Sequence, residues 1–265
     1  MTANTVAGGG VDDWDAHWVD YGDANERNPA QHYRRELALF LAGRFEEPSR
    51  LLDIGSGNGD LLAAAERRWP AARLAGLELS PAGVAESRRK VPRAKFEVRD
   101  LIRDPEPLSD DAGWATHAVC SEVLEHVDDP VLFLRNARGW LAPGCRVIVT
   151  VPGGPMSAFD RHIGHRRHFS PLDLNRVMSS AGLGVRLTAG AGFPFFNLYR
   201  SLVIARGDSL IDDATAVARG AVPARIVGAA MEVFRPLLSL SLPRSTLGWQ
   251  TIGVAEELPA NSAVR

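Results

Sequence analysis

Leu51-Leu52-Asp53-Ile54-Gly55-Ser56-Gly57-Asn58-Gly59-Asp60-Leu61-Leu62 is a short apolar run, a turn with glycine at every second position, and the start of an amphipathic stretch. The run reads as a buried strand and the following residues as a helix, so the glycines sit where a strand hands over to a helix. Glycine lets the backbone turn tightly there and approach a ligand with no Cβ in the way. A dinucleotide site calls for G-x-G-x-x-G, with the pyrophosphate at the helix N-terminus. Here the spacing is G-x-G-x-G and an acid, Asp53, precedes it. A carboxylate at that point repels a pyrophosphate and attracts a cation, which argues against a reductase using a nicotinamide cofactor.

Outward from this stretch, apolar runs and helical stretches alternate: Leu51–Ile54, Leu61–Trp69, Leu74–Leu77, Pro81–Val91, Phe96–Val98, Ala118–Cys120, Pro130–Leu141 and Val147–Val151. Repeated strand–helix alternation implies an α/β fold with a doubly wound, mostly parallel sheet. Ser170, Pro171 and Asp173 start a helix that Gly182 stops, and strands are expected at Gly184–Thr188 and Trp249–Ala255.

Residues 1–12 read as a flexible tail without the layout of a secretory signal, and 13–45 as a helical lead-in. In the lead-in Trp14, Trp18 and Tyr21 mark one helix, and Tyr33, Leu37, Phe40 and Leu41 one face of a second. The core is expected at 46–192 and 246–258, interrupted by a helical cap at 193–245. In that cap Phe193, Phe195, Phe196 and Tyr199, with Trp249 after it, are candidates for lining an apolar acceptor pocket. Arg225, Arg235 and Arg244 interleave with apolar residues, as on a helix that dimerises or rests on a membrane surface.

The chain has 265 residues, 45% of them hydrophobic, enough for one enlarged domain. Thirty basic against thirty-two acidic residues leave a net charge of -2, without the overall basic field that a phosphate backbone attracts. No apolar run is long and uncharged enough for a membrane span. Cys120 and Cys145 lie in apolar runs and read as small buried hydrophobes. A soluble, cytoplasmic protein is expected, with its oligomeric state open.

Glu78 ends the second strand about twenty residues after the glycines, where an acid accepts from ribose hydroxyls. Asp100 closes the third strand, and Ser121-Glu122 follows the fourth. With Glu122-Val123-Leu124-Glu125-His126 and Leu141-Ala142-Pro143-Gly144-Cys145, these residues resemble the class I methyltransferase family, above all the group carrying D-I-G-x-G-x-G, E-V-L-E-H and L-x-P-G-G-x. The resemblance covers Leu51 to Ala191, with Cys145 in place of the second glycine of the last motif. It implies a Rossmann-like, seven-stranded sheet with the last strand antiparallel, and S-adenosyl-L-methionine as cofactor. Its sulfonium and ammonium groups give Asp53 a partner, directly or through a water. The implied cofactor site is Asp53, Gly55, Ser56, Gly57, Gly59, Glu78, Leu79, Asp100, Leu101, Ser121 and Glu122. Loss of the Glu78 carboxylate is expected to weaken the cofactor with little loss of stability.

Methyl transfer is an in-line displacement, so the protein aligns reactants and removes a proton from the acceptor. His126 is the first candidate base and His165 the second. Glu-x-x-Glu-His followed by Arg161-His162-x-x-His165 also resembles the metal tetrad of small-RNA 2′-O-methyltransferases, which implies Glu122, Glu125, His126 and His165 around Mg or Mn. The run Arg161 to His168 reads alternatively as a solvated basic loop or as a clamp for a substrate carboxylate or phosphate through Arg161, Arg166 and Arg167. The expected function is O-methylation of a small, partly apolar metabolite. The alternatives are a metal-dependent RNA 2′-O-methyltransferase and a non-catalytic cofactor-binding module.

Overall fold

The structure is a computed structural model, described here for residues 28–207 and 234–259. In chain order the elements are α1 (Pro29–Ala42), β1 (Arg50–Ile54), α2 (Asp60–Arg68), β2 (Arg73–Glu78), α3 (Pro81–Lys90), β3 (Lys95–Val98), β4 (Ala115–Ser121) and α4 (Pro130–Ala137). Then come a 3₁₀ turn (Arg138–Trp140), β5 (Leu141–Pro152), α5 (Ala158–His162), α6 (Pro171–Ser180), β6 (Leu183–Ala191), α7 (Phe195–Arg206), α8 (Phe234–Ser239) and β7 (Gln250–Glu257). The lead-in helix expected around Trp14 and the cap residues Arg225, Ile226 and Met231 lie outside the described residues.

The strands form one seven-stranded sheet in the order β3-β2-β1-β4-β5-β7-β6. β1 to β5 pair in parallel, and β7 runs antiparallel between β5 and β6. The fold class is as the strand–helix alternation implies, and the reversed last strand as the family resemblance implies. Three of the helices that connect the strands start on a side chain that satisfies free helix N–H groups. Ser80 caps α3, Asp129 caps α4, and Ser170 makes a capping box with Asp173 on α6, each followed by a proline already set at the helical φ.

Successive residues of each strand point to opposite faces, so the sheet has a core on each side. Leu51, Val119, Ile148 and Ile252 face α1, α2, α7 and α8, whereas Leu52, Ala118, Val147 and Ala255 face α4 and α6. Tyr33, Leu37 and Leu41 of α1 are buried as expected, but Phe40 is 39% exposed beneath Arg44. Leu39 fills that turn of the core instead. Both cysteines are free and buried, as read from the sequence. No helix among the described residues is long and apolar enough to cross a membrane.

The described part of the 193–245 segment is built into the first core. Phe196 is fully buried and stacks on Tyr33 at 5.0 Å, and Tyr199, Val203 and Leu238 join the same cluster. Phe196 and Tyr199 therefore pack the domain rather than face an open pocket, while Phe193, Phe195 and Trp249 stay partly exposed.

Candidate active site

In a parallel sheet the strand ends lie along one edge, and residues just past them surround the crevice where ligands bind. β1 hands over to the glycine turn at that edge. Gly55 and Ser56 donate to the carbonyl of Leu77 at 2.8 and 2.9 Å, fastening the turn to β2. Gly55 and Gly59 have φ of 77° and 83°, and a Cβ would lie 2.5 Å from Val123 Cγ2 at the first and 2.9 Å from Ser87 Cα at the second. Only glycine meets both demands. Ser56 Oγ is buried with no hydrogen-bond partner among the described residues.

Asp53 is 3% exposed, and burial, together with the nearby Glu78, pushes its carboxyl well above the usual range. Glu78 is the last residue of β2 and is also buried. Its carboxylate accepts from Gly57 N at 2.8 Å and Ser80 N at 2.9 Å, so it holds the glycine turn in place as well as facing the crevice edge. Leu79 beside it is exposed.

Asp100 lies just past the end of the third strand. β3 stops at Val98, and the Asp100 carboxylate accepts from Ile102 N and Arg103 N at 2.9 and 3.1 Å. Those bonds cap the turn at residues 101–103. Leu101 inserts into the second core.

Ser121 ends β4 and pairs its hydroxyl with Thr150 at 2.8 Å. Glu122, with φ of 57°, sits in the left-handed region that non-glycine residues rarely adopt. Its carboxylate fixes it there, ion-paired to Arg34 at 2.9 Å and accepting from Gln250 Nε2 at 2.6 Å and Thr150 Oγ1 at 3.3 Å. Glu122 is thus bonded to α1, β5 and β7, and it is not part of the cluster that forms beside it.

That cluster is Glu125, His126 and His165, whose potential ligand atoms lie within 4.8 Å of one another. Glu125 is fully buried, both its oxygens lack a hydrogen-bond partner among the described residues, and burial, then Glu122, raises its carboxyl well above the usual range. The rings of His126 and His165 meet edge to face, with centroids 4.8 Å apart. Burial, then His126, depresses the His165 imidazole far below its usual value, leaving it neutral.

The loop carrying His165 is tied down from two sides. His165 N donates to Asp160 O and Arg166 N to Glu125 O, both at 2.9 Å. Arg166 Nη1 pairs with Asp128 Oδ1 at 2.6 Å and Arg167 donates to Asp128 O at 3.0 Å. Of the expected arginine clamp, those two therefore join loop to loop, and His162 points to solvent. Sequence reading missed what anchors this loop from behind. Asp160 on α5 is 2% exposed, accepts from Ser157 N and Oγ at 2.7 and 2.8 Å, and receives both Arg200 Nη atoms of α7 at 3.0 and 2.6 Å. Burial alone would raise its carboxyl, yet Arg200 and Ser157 hold it far below the usual range. Ser157-x-x-Asp160 is a capping-box pattern, the one trace of this anchor in the sequence. Arg34, Thr150 and Gln250 left none, since they come from three distant elements.

The reversed last strand and a glycine turn bordered by buried acids define a class of protein, a Rossmann-like domain shaped for a nucleoside cofactor that carries positive charge. A family model described as a methyltransferase domain matches residues 25–188. A trans-aconitate 2-methyltransferase of Methylobacterium nodulans is 33% identical over 142 residues, 53% of this chain and 50% of that protein. A ubiquinone biosynthesis O-methyltransferase of Aeromonas salmonicida is 28% identical over 169 residues, 57% of this chain and 70% of that protein. The chain thus spans about half the length of the first of these relatives. Among solved structures, a phosphoethanolamine N-methyltransferase 2 of Haemonchus contortus with S-adenosyl-L-methionine aligns at TM-score 0.61, 14% identity, over 94% of this chain and 61% of its own. A geranyl diphosphate C-methyltransferase of Streptomyces coelicolor A3(2) aligns at TM-score 0.54, 16% identity, over 86% of this chain and 76% of its own. The chain belongs to the class I S-adenosylmethionine-dependent methyltransferase family.

Proposed function

We propose that the chain transfers a methyl group from S-adenosyl-L-methionine to a hydroxyl of a small, partly apolar metabolite, with His126 as base and His165 second. The observation that carries this reading is the adjacency at one sheet edge of a buried acid–glycine cradle and a histidine pair. When bound, the cofactor supplies an electrophilic methyl group and a thioether leaving group. The residues present fit it: Asp53 is a buried acid suited to a cation, Ser56 Oγ is a buried polar atom with no hydrogen-bond partner among the described residues, and Gly55 and Gly59 hold the turn in a left-handed backbone packed against Val123 and Ser87. Glu78, Leu79, Asp100 and Leu101 border the nucleoside in this reading, with Ser121 and Glu122 behind. The low net charge supports a small acceptor over nucleic acid.

Replacing His126 by Ala is expected to lower kcat by about 10²–10⁴, and replacing His165 by Ala to lower it less because burial makes it the weaker proton acceptor, while adenosylhomocysteine affinity stays as in the parent. Steady-state kinetics with calorimetry reads both. Full activity in His126→Ala removes that residue from the mechanism.

The state of Asp53 gives a second prediction. Its raised carboxyl disfavours the ionised form in the fold, so its contribution to stability is lost as pH rises through the unfolded value and levels off above the folded one. A bound ammonium reverses the preference. Cofactor binding should therefore release a proton, and affinity should rise with pH below the point where the ligand's own ammonium titrates. Calorimetry in buffers of differing ionisation enthalpy measures the release, which Asp53→Asn should abolish; buffer-independent heats in the parent would contradict the pairing.

A metal-assisted variant is favoured by one observation, the buried Glu125 carboxylate, whose oxygens lack a hydrogen-bond partner among the described residues, beside two imidazoles. Glu125, His126 and His165 would hold Mg or Mn and supply Lewis acidity toward the acceptor oxygen. Glu122, bound to Arg34 and Gln250, would stand behind them. Titration of the protein with Mn alone separates the variants, since Glu125→Gln should abolish binding if this variant operates and the parent should bind nothing if it does not.

A further inference from the structure

His168 takes no part in the proposed proton transfer, yet it lies directly behind His165. Its Nδ1 is 3.1 Å from the carbonyl oxygen of Gly154, and its Nε2 is 3.3 Å from Nδ1 of His165. Both imidazole side chains are 7% exposed, so water does not stand in for these contacts. A carbonyl oxygen only accepts, so the proton of a neutral His168 sits on Nδ1 and its Nε2 is an acceptor. The atom facing that acceptor, Nδ1 of His165, must then carry the hydrogen. Nε2 of His165 is left as a bare lone pair, and it is this atom that faces Glu125, at 4.0 Å from Oε1.

We infer that His168 is a positioning residue that fixes His165 as its Nδ1–H tautomer and so presents the Nε2 lone pair to the reaction crevice. An imidazole that takes a proton or holds a cation through Nε2 must keep its own hydrogen on Nδ1, and the carbonyl–His168–His165 chain imposes that choice. The register of the chain comes from the backbone. Gly154 follows the end of β5, whereas His165 hangs from the Asp160 carbonyl, and Asp160 is locked by Arg200 of α7. Asp160 Oδ2 lies 3.7 Å from His168 Nε2, beyond hydrogen-bonding reach, and four donors from Ser157 and Arg200 already serve that carboxylate. It supports the chain without competing for it. The inference rests on the proposed use of His165, but the tautomer is measured without any reaction.

The test is long-range proton–nitrogen correlation on full-length protein labelled in its seven histidines, with His165 assigned by loss of its peaks in His165→Gln. The parent should show His165 as the Nδ1–H tautomer. His168→Gln, whose amide offers one donor and one acceptor, should keep it, and His168→Leu should convert His165 wholly or partly to Nε2–H. An Nε2–H pattern in the parent, or an Nδ1–H pattern that persists in His168→Leu, overturns the inference. The parent spectrum alone decides if the leucine variant does not fold. In kinetics His168→Leu should lower kcat about tenfold or more, toward the level of His165→Ala, with KM for S-adenosyl-L-methionine unchanged and recovery in His168→Gln. Were the spectra as expected while His165→Ala kept full activity, the positioning would stand and the catalytic use of His165 would fall.

Discussion

Replacing Arg200 by Leu is expected to destabilise the protein by about 3–5 kcal/mol, the cost of stranding one partner of a buried ion pair. At roughly 2–4 °C per kcal/mol for a chain of this size, Tm should fall by roughly 6–20 °C. Arg200 is 6% and Asp160 2% exposed, and both guanidinium nitrogens that reach Asp160 do so within 3.0 Å. Without Arg200 the carboxylate keeps its two Ser157 donors but loses its counter-charge in a site that water does not reach. It recovers part of the cost by taking up a proton. Because the pair holds the Asp160 carboxyl below its usual range, its contribution is present above the ordinary carboxylate value and is lost as pH falls below it. Thermal unfolding at neutral and acid pH measures this, and the gap between parent and variant should narrow in acid. Asp160→Asn with Arg200→Leu should be more stable than Arg200→Leu alone, since no stranded charge remains. A loss below 1 kcal/mol would show that the pair does not anchor the His165 loop.

Glu78→Ala is expected to cost two things at once. If the carboxylate accepts from both ribose hydroxyls, charge-assisted bonds of about 1.5–3 kcal/mol each are lost, and adenosylhomocysteine affinity falls at least about a hundredfold. The stability cost is where sequence and structure part. Read from the sequence, Glu78 is a ligand contact whose loss leaves the fold nearly untouched. In the structure it also accepts from the buried Gly57 and Ser80 N–H groups, and leaving a buried donor unpaired costs about 1–3 kcal/mol. Calorimetric affinity and denaturant unfolding of Glu78→Ala and Glu78→Gln separate the two effects, with the glutamine variant intermediate in both. Unchanged affinity in the alanine variant would remove Glu78 from the ribose.

What the sequence revealed and hid has a physical pattern. Periodicity and helix caps are local, so most strands and helices were placed within a few residues, although the short helix α5 was read as part of a loop. β5 was read from Val147 and runs from Leu141, because Pro143 and Gly144 read as a turn and do break the ladder: Leu141 pairs with Ala115 and Arg146 with His117 across a shift in register, with Gly144 at φ of 78°. The acids and glycines of the cofactor edge lie at strand ends, where chemistry and position coincide in a short stretch. Asp100 follows the strand end by two residues and its carboxylate caps the turn there, a second role that its position in the sequence does not reveal. The networks behind the site were hidden for another reason. Arg34, Thr150 and Gln250 come from three elements to meet Glu122 on a loop, Asp160 and Arg200 come from two, and no spacing rule joins residues so far apart. Phe196 and Tyr199 were apolar in either reading; packing against Tyr33 decided that they belong to the core.

The central claim is that the acid–glycine edge holds a cationic nucleoside cofactor. Calorimetric titration of the purified chain with S-adenosyl-L-methionine and adenosylhomocysteine, with and without Mg or Mn and with NADH as control, tests it most directly. Binding of both adenosyl ligands and none of NADH is the predicted result. No binding of either adenosyl ligand, or binding of NADH in their place, would contradict it.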